Sequence, residues 1–245
     1  MRIQMSMISA VLGSLAMIQS ANAETYRLIS GDRPPYVNEK GKEPGFCIDV
    51  INEMAKRSGT EIKLEFMPWS RAQDYVAETP NTMLPCVTRG KTREASYLWM
   101  APMNEVSTLF LTTGKPINAF EEAKSLTVSV RGDTQQEKHL KDAGLAKLDL
   151  QENPEISAKM LDAGRVDAWY THDLRAFNVW ASLGYDVSKL VAGTKLATEK
   201  QFLAGHKDIP ADVSKKLADA IDSMVKDGTY GTMFAKYFGS AKPAM

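Results

Sequence analysis

Apolar and polar positions change their spacing several times along the chain, and the changes mark out strands and helices in alternation. Residues 26–29 read as a first strand. Ile48, Ile51, Met54, Ala55 and Ser58 then recur at helical spacing, and Gly59 suits the end of that helix. Over 61–66 the pattern alternates, with Ile62, Leu64 and Phe66 on one face, as in a half-buried strand. A helix over 71–77 and a short buried strand through Met83, Leu84 and Val87 follow. Strand, helix, strand in repetition is the order of an α/β protein.

The same order resumes further on. Residues 106–112 read as a strand that leaves the first unit through Gly114, Lys115 and Pro116, and 126–130 opens a second unit. Thr134 and Glu137 have capping-box spacing, so a helix is expected to start there; its free N–H groups suit either an anion or plain water. Asn153 and Pro154 predict another helix, with Ile156, Met160 and Ala163 as its buried stripe. Residues 166–171 read as a strand that carries His172 and Asp173 at its carboxyl end. The helix after it, over 173–183, is expected to be buried through Leu174, Phe177 and Trp180. Residues 191–205 lack helical periodicity, with a short strand at 202–204. Val213, Leu217, Ile221, Met224 and Val225 predict an amphipathic helix, and Tyr230, Phe234, Tyr237 and Phe238 a second short stripe.

Composition changes this picture in three places. Arg2 precedes a mainly apolar segment that ends in Ala21–Asn22–Ala23, so residues 1–23 are expected to be a cleaved export signal. A membrane anchor is the alternative, but Gln4, Ser6, Ser9 and Ser14 interrupt the apolar run. Lys plus Arg equals Asp plus Glu at 30 each, which removes the basic footprint that nucleic acid requires and any general pull toward membranes. Cys47 and Cys86 read either as a disulfide permitted by export or as two small buried hydrophobes. With three scattered histidines they do not give zinc-ligand spacing, and both glycine-rich nucleotide signatures are missing, so neither metal nor cofactor is expected.

Candidate chemistry gathers around residues 82–102, where an apolar run gives way to a polar turn at Arg89, Gly90 and Lys91. Thr88, Arg89 and Arg93 fall just beyond a strand, where open α/β sheets hold ligands, and a guanidinium fork there suits a carboxylate. Tyr36, stiffened by Pro34 and Pro35, and Trp69 after Pro68 follow other strands and can serve as stacking walls or as core. His172 beside Asp173 invites an acid/base reading, but no serine or cysteine nucleophile is placed with them.

Taken together, GDRPPY at 31–36, GFCIDV at 45–50, Trp69, TRGKTRE at 88–94, GDT at 132–134, GRVDA at 164–168, and DGTY at 227–230 followed by KYFG at 236–239 resemble the bacterial extracellular solute-binding proteins of family 3. These are the periplasmic components of polar amino-acid ABC transporters. The resemblance implies an α/β, two-lobe periplasmic binding protein fold with a hinge of two crossover strands. Residues 24–108 and 195–245 would form one lobe and 109–194 the other. It implies a monomeric, non-catalytic periplasmic receptor that captures a small carboxylate-bearing polar solute, an amino acid or small organic acid, for an ABC permease. By the same resemblance Arg93 matches the arginine that grips the ligand carboxylate, Thr88 a hydroxyl near the ligand amino group, Tyr36 and Trp69 the aromatic walls, and Thr134 a contact from the opposite lobe. His172 stands where amino-acid binders carry an aspartate for the ammonium, with Asp173 one step later. Two alternatives share the fold: a dehydratase or lyase in which His172, Asp173 or Glu94 moves a proton, and a periplasmic sensor that signals without transport.

Overall fold

The computed structural model describes residues 24–239; the expected export signal at 1–23 and the last residues of the expected first lobe lie outside them. β1 (Thr25–Ser30) lies between β2 (Glu61–Phe66) and β3 (Thr82–Thr88) and is parallel to both. The two crossovers, α1 (Phe46–Ser58) and α2 (Trp69–Glu78), fall on opposite faces. Leu28 and Met83 pack toward α1, and Ile29 and Leu84 toward α2. Alternating side chains along each strand make that division possible. Chain order therefore reverses at β1, and a crevice opens beyond the carboxyl ends of the strands.

The second unit repeats the arrangement. β5 (Val128–Arg131) lies between β6 (Leu148–Gln151) and β7 (Ala168–His172), parallel to both, with α3 (Gln135–Asp142) and α4 (Pro154–Asp162) as crossovers. Two long strands join the units. β4 (Leu98–Thr112) runs antiparallel to β9 (Ala197–Gly205), from Leu98 opposite Gly205 to Thr108 opposite Ala197. β9 also pairs with β3, and the far end of β4 pairs with β7 and with the two-residue β8 (Val191–Ala192). The sheet order is β2-β1-β3-β9-β4-β7-β5-β6. The cores separate along it. The buried residues of one cluster, with Phe46, Ile51, Met83 and Ile221, run up to Val106 and from Leu203 onward, with Leu174 packed against them, while Leu109, Phe110, Trp169 and Tyr170 fall in clusters whose buried residues all lie between Leu109 and Leu190.

Several elements depart from their sequence patterns. The expected strand at 106–112 is the end of a fifteen-residue strand that begins at Leu98; bulges near Trp99 and Pro102 accommodate the proline and break the alternation. β9 is likewise longer than 202–204. β6 is four residues long and only half-buried: Leu148 packs on the core, Leu150 is exposed, and Asp149 turns inward to accept from Ser129 Oγ at 3.1 Å. α4 buries Ser157, Ala158 and Leu161 and leaves Ile156 44% exposed, and the oxygens of Ser129 and Ser157 meet at 2.8 Å across the contact. α5 (Asp173–Ser182) buries Arg175, Ala176, Val179 and Trp180, while Phe177 is 36% exposed. A row of three-residue steps drifts about 60° per step around a helix, so 174, 177 and 180 cannot hold one face. α6 (Ala211–Lys226) buries Leu217, Ile221 and Met224 as expected but leaves Val225 exposed at its end.

Glycine is required at 45. Its φ of 102° is one that side chains rarely adopt, and a Cβ there would lie 2.6 Å from the Tyr36 carbonyl oxygen. That close approach lets Phe46 and Cys47 donate their N–H groups to Pro35 and Tyr36 and starts α1 against the 33–37 turn. Cys47 on α1 is joined to Cys86 by a disulfide, with Cα atoms 6.2 Å apart, so of the two readings of the cysteines the bonded one holds. Cys86 sits with positive φ in a register break of β3 against β9, between Leu84 and Val87. Replacing both cysteines by alanine is expected to lower the unfolding free energy by about 2–4 kcal/mol. Urea denaturation of the oxidised protein beside the double variant checks it, and equal midpoints would assign the disulfide no structural weight.

Candidate functional site

The carboxyl ends of β1, β2 and β3 face those of β5 and β7 across a narrow cleft. Arg33 lies three residues beyond β1, Trp69 opens α2 after β2, and Thr88 is the last residue of β3. From the other side come Arg131, the last residue of β5, Thr134, which caps α3, and His172, the last residue of β7. With Cys86, Arg93, Gln136, Arg175 and Gln201 they enclose a cavity of about 20 Å³, room for roughly one water molecule. The walls touch above it. Arg93 Nη2 and Gln73 Nε2 donate to the Asp133 carbonyl at 2.7 and 3.2 Å, Gln135 Nε2 donates to Thr92 Oγ1 at 2.9 Å, and Arg131 Nη1 donates to the Asp32 carbonyl at 3.2 Å.

Backbone geometry explains why arginines can be held here. The break in β3 leaves the Pro85 and Cys86 carbonyls outside the ladder, and Arg33 takes both, at 2.7 Å through Nη2 and 3.4 Å through Nη1. Its guanidinium also lies 4.1 Å from the centre of the Trp69 ring, and that of Arg175 lies 5.1 Å from the Tyr36 ring. Both arginines are 4% exposed. The Nε atoms of Arg33, Arg131 and Arg175 are buried without a hydrogen-bond partner among the described residues. Burial, then repulsion from Arg131 and Arg175, pulls the Arg33 pKa well below the arginine range; burial and Arg175 pull that of Arg131 down to about 9. Burial also lowers Arg93 and Arg175. Guanidinium groups remain protonated at neutral pH, so the common cause of these shifts is that charges which stay ionised are held away from water.

Of the residues singled out in the sequence, Trp69, Thr88, Arg93, Thr134 and His172 line the cavity. Tyr36 does not. It is wholly buried in the first core, with its ring 5.9 Å from that of His172 and its hydroxyl unpartnered. Asp173 also lies outside the lining: one oxygen accepts the Leu174 N–H and the other faces Lys195 Nζ at 3.5 Å. Trp69 is the first residue of a helix and not part of a loop. Glu94 is held by Arg89 at the exposed rim, and among the described residues no group of three His, Cys, Asp or Glu side chains could hold a metal. Sequence reasoning missed Arg33, Arg131 and Arg175. The first two had a signal, since Arg33 closely follows a strand and Arg131 ends one; Arg175 was hidden by the misjudged face of α5. A larger groove of about 890 Å³ opens to solvent between the same two units, with Asp32 and Pro35 on one side and Asn153 and Asn178 on the other, and its Lys236 is already paired with Glu43 and Asp49.

Residues 28–240 match the family model of the bacterial extracellular solute-binding proteins, family 3. The chain belongs to this family. It is a periplasmic binding protein for a small polar solute. A probable histidine-binding protein of Neisseria gonorrhoeae is 25% identical over 242 residues, covering 92% of this chain and 88% of that one. Among solved structures, the GluR0 ligand-binding core from Nostoc punctiforme in complex with L-glutamate superposes with a TM-score of 0.78 at 17% identity, over 87% of this chain and 99% of that one. A histidine kinase sensor domain with similarity to periplasmic binding proteins gives 0.77 at 18% identity, over 87% and 96%. At these identities the structures establish a periplasmic-binding-protein-like α/β fold.

His172 generates a pH prediction. Burial, then repulsion from Arg175 and Arg33, holds its pKa well below the ordinary histidine value, so the folded protein keeps the ring neutral while the unfolded chain takes up a proton below about pH 6.5. Its contribution is therefore fully present above that pH and is lost as pH falls, by about 1.4 kcal/mol per pH unit. His172→Gln is expected to flatten the decline in unfolding free energy between pH 7 and pH 5.5. Parallel declines in the two proteins would contradict the assignment.

Proposed function

We propose that the two units act as lobes, residues 24–108 with the chain from 195 onward and residues 109–194, which close on a small carboxylate-bearing solute about a hinge formed by β4 and β9. The separation of the cores on either side of Leu109 supports this division, as does the continuous pairing of those two strands between the units. A cavity of one water's volume admits no such solute until the walls part, so binding must be coupled to opening and closing.

The observation that carries the reading is the meeting of strand exits from both units at one cluster of buried, incompletely paired polar groups. Arg93 grips the carboxylate with Thr88 beside it and Trp69 as an apolar wall, and Thr134 and His172 close from the opposite lobe. The Asp133 carbonyl holds Arg93 in the closed form at 2.7 Å, and a solute favours closure only by the extra contacts it makes there. Asp173, engaged by Lys195, gives no support to an ammonium contact. The histidine in the name of the Neisseria relative belongs in any ligand panel, together with other amino acids and small organic acids.

A thermal-shift screen of refolded protein tests the reading. A solute at a hundred times its dissociation constant should stabilise by about 2.7 kcal/mol. Arg93→Ala should lose about 2–5 kcal/mol of binding free energy and with it most of the shift. A panel that moves neither the wild type nor the variant would overturn the assignment of this cleft.

A further inference from the structure

Resting on the reading of the cleft as the solute site, we propose that the solute is a small organic anion with at least two negatively charged groups and no ammonium. Four arginines line the cavity, Arg33, Arg93, Arg131 and Arg175, and no carboxylate side chain does. Arg33 and Arg175 are almost fully buried, and each keeps an Nε donor without a partner among the described residues.

Most acids near this cluster are engaged with other groups, although Asp32 and Glu152 act on Arg131, and Glu199 and Asp133 on Arg93, from outside the lining. Asp173 faces Lys195, Glu94 pairs with Arg89, and Glu137 is held by Lys141 and the Asp133 N–H. Glu199 accepts from Thr108 Oγ1 and lies 3.5 Å from His139. In direct contact, the arginines meet only backbone carbonyls at Pro85, Cys86, Asp32 and Asp133, and the faces of Trp69 and Tyr36. None of these carries a full charge.

A single carboxylate offset by its own ammonium adds no net charge to such a site, and its ammonium would meet several guanidinium groups with no carboxylate to receive it. A dianion instead supplies two acceptors for paired guanidinium forks. His172, neutral and next to Gln136, adds no charge and leaves the sign of the cavity unchanged. Gln201 offers a buried Oε1 without a partner, which suits a hydroxyl on the ligand. The same donors would accept two carboxylates or one doubly ionised phosphate, so the shared chemistry is the paired negative charge.

Calorimetric titration of refolded protein at pH 7.5 distinguishes these cases. The probes are the linear dicarboxylates from malonate to adipate, the matching amino dicarboxylates aspartate and glutamate, the zwitterions glutamine and histidine, and inorganic phosphate with a phosphate monoester. The best dicarboxylate is expected to bind at least tenfold more tightly than its amino counterpart, and glutamine and histidine more weakly still. Binding of phosphate or the monoester in place of the dicarboxylates would support the doubly charged class and assign the phosphate head group. Arg175→Met should weaken dianion binding at least thirtyfold while leaving the ligand-free melting temperature unchanged or higher, since it removes an uncompensated charge. Arg175→Lys should recover part of the affinity. A merely structural Arg175 would lower the ligand-free melting temperature instead; if the methionine variant does not fold, Arg131→Met takes its place with the same expectation. Tighter binding of glutamate, glutamine or histidine than of any dianion overturns the proposal and leaves the receptor reading standing. Silence from every probe, amino acids included, overturns both.

Discussion

A guanidinium removed from water must recover its hydration from the protein, and much of this cleft can be understood from how four such groups are held close together without an anion. Like charges at short range in a medium of reduced polarity repel strongly. Here they are kept in place by forces that do not neutralise them: Arg33 by two carbonyls and an indole face, Arg93 and Arg131 by carbonyls reached across the cleft, and Arg175 by a tyrosine ring. The lowered pKa directions of all four have burial as their largest cause. The site is thus preorganised for negative charge, and the cost is borne by the protein before any solute arrives.

The scaffold makes this possible through strand order. β1 and β5 are each flanked by strands reached through crossovers on opposite faces, so each unit opens a crevice at its carboxyl edge. The antiparallel pairing of β4 with β9 sets the two crevices face to face. The disulfide extends this logic to atomic detail, since it ties Cys86, at the break in β3, to the helix that begins beside the Tyr36 turn. The same break releases the carbonyls that Arg33 uses. Burial of Tyr36 follows from this arrangement: the ring forms a floor under His172 and Arg175.

Much of the fold was legible in the sequence because its signals are local. Alternation over 61–66, the capping pairs at Thr134 and Asn153, and the glycines that end helices each act within a few residues, and the elements follow them. Arg93 and Thr88 were legible for a similar reason, as polar residues just past an apolar run. Signals failed where the partner was remote. β6 exists because β5 offers it an edge, and its inward Asp149 is satisfied by a serine from the neighbouring strand. α4 and α5 turn faces other than the greasiest ones inward because small residues, or an arginine with a ring to rest on, fit what lies opposite.

By itself, the sequence determined the alternation of strands and helices, the family, and the position of Thr88 and Arg93 at and just beyond a strand end, because these depend on spacing and on short motifs that work within one segment. Only the tertiary structure decided the character of the cavity. Arg33, Arg131 and Arg175 are separated by long stretches of chain, and nothing in their local surroundings says that they meet or that Asp173 turns away to Lys195. Net charge summed over the chain is zero. The local excess of positive charge arises from which side chains the crossed sheet brings together, and long-range packing, not composition, sets that.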